Sequence, residues 1–443
     1  MTVWLFPSDM STTTAPELKT ASPVAAPRST PEIESPFTRG FMLAYAANLT
    51  LVIANASLFV FAEWIRFLAT QPGSGVTYRE ELPGIIVQAG LFAAMAARCV
   101  FGPAIDRFGV RRVWTVAGLL TICGTFGFLS IQHWTPMVFA ARMAFATGVA
   151  AMFTCSSTHM MSQVADHRRT EFLALLGSSG FLGMIIGPQL AALLKWLSDD
   201  DPARFFPTLF TAVLLLNLST LVVVNLLTRD AYRPCRDRPR PPLFRLMVRY
   251  WPGMTMLVAF VMGSTLTVAS VFLVRFAEHQ GLSGIAWFWT CYAITAFATR
   301  LRCATLTQRF GRFRVVQWGL FLQASGLWAL IPVTVDWHIV FSATLAGMGH
   351  ALIFPSLVSL GSGRFPPEYR GSGTNLTLGF VNLGSAISAP VLGGIIDLPM
   401  FHGQGFRQMF FAAGLLAFTV GVAWYFLCGA REDTQEVGVL SER

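Results

Sequence analysis

Residues Arg98 to Arg112 read Arg-Cys-Val-Phe-Gly-Pro-Ala-Ile-Asp-Arg-Phe-Gly-Val-Arg-Arg, a stretch that closes one apolar run and opens the next. An apolar segment beginning near Pro83 ends at Gly102, the charged group Asp106, Arg107, Arg111 and Arg112 follows, and a second apolar segment starts at Val113. Charge confined between two hydrophobic runs describes a tight hairpin between membrane spans. The arginines stay on one side because a guanidinium is costly to carry through hydrocarbon. Gly102 and Gly109 let two helices and a short turn approach with no Cβ between them.

Composition extends this conclusion to the whole chain. Of 443 residues, 54% are hydrophobic and 12% charged, where a soluble domain has roughly 25% charged. At about 20 residues per span the sequence offers about twelve apolar runs. They lie near 41–65, 83–104, 113–131, 136–161, 172–196, 206–228, 250–274, 285–305, 315–334, 338–361, 372–397 and 406–428. The net charge of +9 follows the membrane. Alternate connections hold Arg107, Arg111 and Arg112; Arg168 and Arg169; Arg229 to Arg249; Arg309, Arg312 and Arg314; Arg364 and Arg370, and the intervening ones hold almost none. The positive-inside rule then places both termini in the cytoplasm, with the plasma (inner) membrane as the expected location. No basic patch is interleaved with exposed aromatics, so no nucleic-acid partner is expected. The seven cysteines show no metal or redox spacing. With no phosphate-cradling loop and no nucleophile-and-base set, the expectation is no enzyme, no cofactor and no metal. The lipid bilayer is the partner that composition implies.

The expected organisation is a disordered cytoplasmic tail over 1–40, rich in Ser, Thr, Pro and Ala, and a six-helix half over 41–228. A basic, proline-rich cytoplasmic linker over 229–249, a second six-helix half over 250–428 and a tail over 429–443 follow. The halves repeat. Adding 202 carries Arg98 to Arg300, Arg107 to Arg309, Phe108 to Phe310, Gly109 to Gly311, Arg112 to Arg314, Gly177 to Gly379 and Pro188 to Pro390.

The pattern Gly102-x-x-x-Asp106-Arg107-x-Gly109-x-Arg111-Arg112 resembles the loop signature of the major facilitator superfamily, between its second and third transmembrane helices. The resemblance covers 41–428. It implies an all-α membrane protein with twelve transmembrane helices in two six-helix parallel pseudo-repeats, acting as a monomeric secondary transporter by alternating access. The same resemblance implies a small-molecule substrate and protons as partners, with energy from a gradient or from exchange. It further implies that Asp106, with Arg107, Arg111 and the end of a helix in the other half, locks the cytoplasmic face. Gln308 and Ala304 stand in the second copy where Asp106 and Gly102 stand in the first, so the acid of this gate is expected in the first copy alone.

Arg98 and Arg300 lie eight residues before Asp106 and Gln308, about two helical turns into the membrane. Each costs on the order of 3 kcal/mol at mid-bilayer if uncompensated, and few carboxylates lie within the spans. One reading is a clamp, an arginine from each half gripping a small anion through forked hydrogen bonds. The others are a gating or structural ion-pair network and snorkelling to the interface. The two positions resemble those of the nitrate and nitrite porters, in which two arginines bind the substrate. Further candidate substrate contacts are His350, midway along the tenth span among glycines, Tyr292, Asn55 and Asn382. For Asn55, as for Asn48, helix-to-helix hydrogen bonding is the competing reading.

Arg142, followed by Gly148, resembles the fourth-helix signature of proton-coupled drug exporters. Glu63 is expected at a similar depth, which makes Arg142 and Glu63 a candidate ion pair for structure or for proton coupling. Gly177, Gly180, Gly183, Gly187 and Pro188 place a glycine every three or four residues and resemble the fifth-helix signature of antiporters, with Pro390 as the repeat counterpart. Close helix packing is expected along that face. Two substrate classes remain open, a small anion (nitrate/nitrite-like or carboxylate) and a drug or metabolite exchanged for protons.

Overall fold

The computed structural model describes residues 35, 37–75, 82–229, 243–282, 285–396, 398 and 404–441. Most of the expected N-terminal tail and the centre of the linker lie outside the described residues.

Helix α1 (Arg39–Ala56) starts at Thr38, whose hydroxyl accepts the Phe41 amide and satisfies one of the orphan donors of the first turn. It passes through a single 3-10 turn, Ser57–Val60, into α2 (Phe61–Thr70). There follow α3 (Leu82–Phe108), α4 (Val110–Ser130), α5 (Met137–Gln163), α6 (Arg169–Leu197) and α7 (Pro202–Leu227). A short α8 (Leu243–Arg249) leads to α9 (Met254–Thr267), which continues through a π-helical turn, Val268–Phe272, into α10 (Leu273–Gln280). The chain ends with α11 (Ile285–Trp328), α12 (His338–Gly363), α13 (Arg370–Ile396) and α14 (Gly405–Ser441).

Among the described residues, ten segments are long and apolar enough to cross a membrane. The two arms of α11, broken at Gly311, supply the eleventh and twelfth. Gly311 has φ 79° and ψ 158°, and its repeat counterpart Gly109 has φ 82° and ψ 155°. Positive φ is open to glycine without the Cβ clash that other residues meet. The same residue in the same conformation, 202 positions apart, makes the same tight hairpin in each half. The second arm of α11 stops at Trp328 rather than near 334, because Pro332 cannot continue the hydrogen-bond ladder and restricts the residue before it. The π-turn in the seventh span has no sequence signal that we can identify.

Each half has its own aromatic core. Trp64 packs edge-on against Phe128 and Phe210 at 5.6 and 4.9 Å between ring centroids, and Phe276 against Phe410 at 4.9 Å. The lipid-facing surface is also apolar, with Val100 at 65% and Phe426 at 72% exposure, since hydrocarbon exacts no penalty for exposed side chains of this kind. The halves meet where α3 packs on α13 and α6 packs on α11. Those two contacts carry the site.

Candidate functional site

The glycine stripe of α6 divides between two tasks. Gly183 and Gly187 pack on α1, where an added Cβ would meet Val52 and Ala56 at 2.8 and 2.6 Å. Gly177 does not pack on α1: a Cβ there would overlap the Arg300 guanidinium, and Gly180 faces open space. The expectation of one packing face is therefore corrected. At about 100° per residue, the six residues from Gly177 to Gly183 leave the two about 120° apart around the helix.

Arg300, on the first arm of α11, reaches across to α6, and Arg98, on α3, reaches across to α13. Its Cδ would stand 3.9 Å from a Cβ on Gly379, the repeat counterpart of Gly177. Each arginine thus abuts the matching glycine of the opposite half. Both are buried, at 8% and 3% exposure for Arg98 and Arg300. Neither forms an ion pair with an acidic side chain among the described residues.

Their surroundings differ. Arg98 Nη1 donates to Thr154 Oγ1 at 3.1 Å and to Asn375 Oδ1 at 3.5 Å. The Arg300 guanidinium lies 4.9 Å from the Phe181 ring centroid and 5.1 Å from that of Phe354, a cation–π sandwich, and makes no hydrogen bond to another described residue. Phe181 also stands edge-on to Tyr292 and His350, and the Tyr292 hydroxyl hydrogen-bonds His350 Nδ1. Tyr292, His350 and Arg300 therefore gather around the Phe181 ring. Asn55 and Asn382 are half-buried with no side-chain hydrogen bond among the described residues, whereas Asn48 donates to Ser179 Oγ at 2.8 Å and serves helix packing.

The expected pairing of Arg142 with Glu63 does not form. Glu63 is half exposed and pairs with Lys195 at 3.0 Å. Arg142 instead lies over the Phe61 ring at 5.0 Å and the Phe145 ring at 5.9 Å. Equal depth along two helices did not bring the groups together, because α2 turns Glu63 outward to α6. Gly148 is a packing glycine, with Thr121 and Ala117 of α4 directly against it.

On the arginine-rich face the halves are joined by several polar contacts, two of which involve the gate positions Asp106 and Gln308. Asp106 Oδ1 accepts the Gly371 amide at 2.8 Å, and Oδ2 accepts the Ser372 amide at 2.9 Å and its hydroxyl at 2.5 Å. A carboxylate here satisfies orphan donors at the N-terminus of α13 and meets the positive end of its dipole. Arg107 lies over the Phe108 ring, and Arg111 Nη1 donates to the Arg229 carbonyl at 3.5 Å; Arg107, Arg112 and Arg309 are exposed. At the second contact Gln308 Nε2 donates to Glu171 Oε2 at 3.1 Å, and Arg168 grips Glu171 at 2.9 Å through both Nε and Nη2. Both acids at these contacts, Asp106 and Glu171, thus lie in the first half, and the second half supplies donors to them. Nearby, Asp166 pairs with Arg169 and with Arg370, the latter at 3.7 Å, and its carbonyl accepts from Arg312 at 2.5 Å.

Sequence reasoning passed over Thr154, Phe181, Phe354 and Glu171, and it gave Asn375 no role at Arg98. Phe181 had a signal, lying one turn from Gly177 on the same face. The others sit in helices whose apolar runs do not mark which face looks across the molecule.

The family model of the Major Facilitator Superfamily matches this chain twice, over residues 40–301 and 255–441. The chain belongs to the major facilitator superfamily. Within that superfamily it is 24% identical over 345 residues to an uncharacterized MFS-type transporter, STM4428, of Salmonella typhimurium, covering 76% of this chain and 84% of the relative. Among solved superfamily structures, the Escherichia coli fucose:proton symporter FucP superposes with TM-score 0.68 at 15% identity, covering 87% of this chain and 98% of that one. The human organic anion transporter MFSD10 superposes with TM-score 0.64 at 14% identity, covering 86% and 98%. At such identities the superposition establishes the superfamily fold. This chain is therefore a multi-pass membrane transporter.

Proposed function

We propose that this transporter moves a small anion, inorganic or carboxylate, by alternating access, with Arg98 and Arg300 as the substrate clamp. The observation that carries the reading is Arg300. It is a guanidinium at 3% exposure with neither a carboxylate nor a hydrogen-bond acceptor among the described residues. A charge of this kind costs about 2.5–3.5 kcal/mol at mid-bilayer. Its donors are satisfied when an anion arrives, through charge-assisted hydrogen bonds that are strong in a low-dielectric site. Arg98 supplies a second fork from the other half, so one ligand bridges both. The fold hosts sugar:proton symport in FucP and organic anion transport in MFSD10, so it is the charge lining this site that favours an anion.

By the positive-inside rule the arginine-rich face is cytoplasmic, and the Asp106 and Glu171 contacts make this the state closed to the cytoplasm. Both termini, the linker over 229–249 and the tails then belong to that side. The energy source is a gradient or exchange.

The test is uptake of nitrate, nitrite and small carboxylates into proteoliposomes, with and without an imposed pH gradient, for the wild type, Arg98→Gln, Arg300→Gln and Arg142→Gln. Uptake of an anion that is lost in the first two variants and kept in the third supports the clamp. If no anion moves and lipophilic cations exchange for protons in a manner needing Arg142, the chain is a proton-coupled exporter instead.

A further inference from the structure

Asn375 of α13 belongs to the second half, yet both ends of its carboxamide are spent on Arg98 of the first. Its Nδ2 donates to the Arg98 main-chain carbonyl. Its Oδ1 accepts from Arg98 Nη1 and from Thr154 Oγ1, each at 3.5 Å. The partners fix the orientation of the amide, since a carbonyl can only accept and a guanidinium can only donate. Asn375 is buried, at 4% exposure. Gly102, one turn along α3, allows the approach: a Cβ there would stand 3.0 Å from Ser372 Cα and 3.2 Å from Asn375 Cβ.

We propose that Asn375 is a latch between the halves that the substrate anion releases, because its Oδ1 occupies the Arg98 donor that the anion takes. The inference rests on the anion reading above. At 3.5 Å, Oδ1 is a neutral acceptor at the long limit of a hydrogen bond. An anion makes a shorter, charge-assisted bond about twice as strong, so it wins the competition for Nη1. A ligand shifts a conformational equilibrium only by binding one state better than the other. Here the anion favours the state in which α13 has let go of α3, which is the state open on the arginine-rich face. In the empty carrier, Asn375 satisfies Arg98 and keeps that face closed.

The device is one-sided. The residue 202 positions before Asn375 is Leu173 on α6, an apolar side chain that accepts no hydrogen bond. Arg300 accordingly has no latch and keeps its donors open in the closed state. The anion docks first on Arg300 and then draws Arg98 away from Asn375. Asn375 is on this account a positioning residue: it acts through Arg98 and sets when the carrier turns over.

The test uses full-length protein with the native cysteines replaced and Ser362→Cys as reporter. Ser362 is fully buried and its hydroxyl meets Met161 Sδ of the other half at 2.9 Å, so a thiol there is alkylated only when the arginine-rich face opens. Alkylation rates are compared for Asn375, Asn375→Ala and the near-isosteric Asn375→Asp, alone and with nitrate, acetate or benzoate. With Asn375 present, at least one anion should accelerate alkylation. Asn375→Ala should accelerate it at least fivefold with no anion added. Asn375→Asp, which gives Arg98 a built-in carboxylate, should slow it and abolish the response to anion. If Asn375→Ala leaves the anion-free rate unchanged, or Asn375→Asp still responds as the parent does, the latch is refuted. If Asn375→Ala opens the face but no anion affects even the parent, the anion reading has failed and the release step with it, while the contact across the halves stands.

Discussion

Replacing Arg300 by glutamine should weaken ligand binding and leave ligand-free stability nearly unchanged. The guanidinium makes no hydrogen bond or ion pair with a described residue, so its loss strands no buried partner. Carrying it at mid-bilayer depth costs about 2.5–3.5 kcal/mol. The Phe181 and Phe354 rings, at 4.9 and 5.1 Å, offset this at about 2 kcal/mol each for a desolvated guanidinium. The two terms cancel to within about 1 kcal/mol, so the glutamine variant should unfold close to the wild-type temperature. Binding behaves otherwise. A charge-assisted hydrogen bond is worth about 1.5–3 kcal/mol, so losing even one should weaken the anion roughly 10- to 100-fold. Thermal unfolding of the purified protein reads both quantities. A ligand at about 100 times its Kd stabilises the wild type by about 2.7 kcal/mol, and the same concentration should stabilise Arg300→Gln by only about 0.4–1.4 kcal/mol while the ligand-free midpoint holds. A ligand-free destabilisation of more than about 2 kcal/mol would show that Arg300 is a structural residue. An anion increment retained in full would remove it from the clamp.

Gly177 and Gly379 are repeat counterparts, but alanine should be felt at only one of them. At Gly177 the new Cβ overlaps the Arg300 guanidinium, so Gly177→Ala should cut uptake at least tenfold, while Gly379→Ala meets Arg98 Cδ at an ordinary 3.9 Å and should keep near-normal uptake. Asp106→Asn loses the charge that holds three donors at the start of α13; at about 1.5–3 kcal/mol per charged bond the closed state should lose at least tenfold in population, read by the distance between spin labels on the two halves. Glu63→Gln should leave uptake and its response to a pH gradient within about twofold of wild type, because the Glu63 and Lys195 side chains are 54% and 41% exposed and such a pair is worth at most about 1 kcal/mol. A collapse of coupling in that variant would restore Glu63 to the transport mechanism.

Much of this protein was legible before any coordinate. Span lengths, the alternation of arginine between connections and the hairpin glycines follow from the cost of polar groups in hydrocarbon, which acts on local sequence. They yielded the twelve spans, the repeat and the pairing of Arg98 with Arg300. The repeat offset even names the two glycines that the arginines meet. What the sequence left open depends on rotation about helix axes and on long-range approach. Nothing local told that Gly177 meets the Arg300 guanidinium of the other half, that Glu63 swings to Lys195 and leaves Arg142 to Phe61, or that Glu171 supplies an acid opposite Gln308. The same holds for Asn375, one polar residue among many in its helix until α3 and α13 close at Gly102. Hydrophobicity determines that a helix is buried in the membrane and how long it is. Which of its faces meets which neighbour is decided by packing over the whole molecule, and the chemistry of this site is set there.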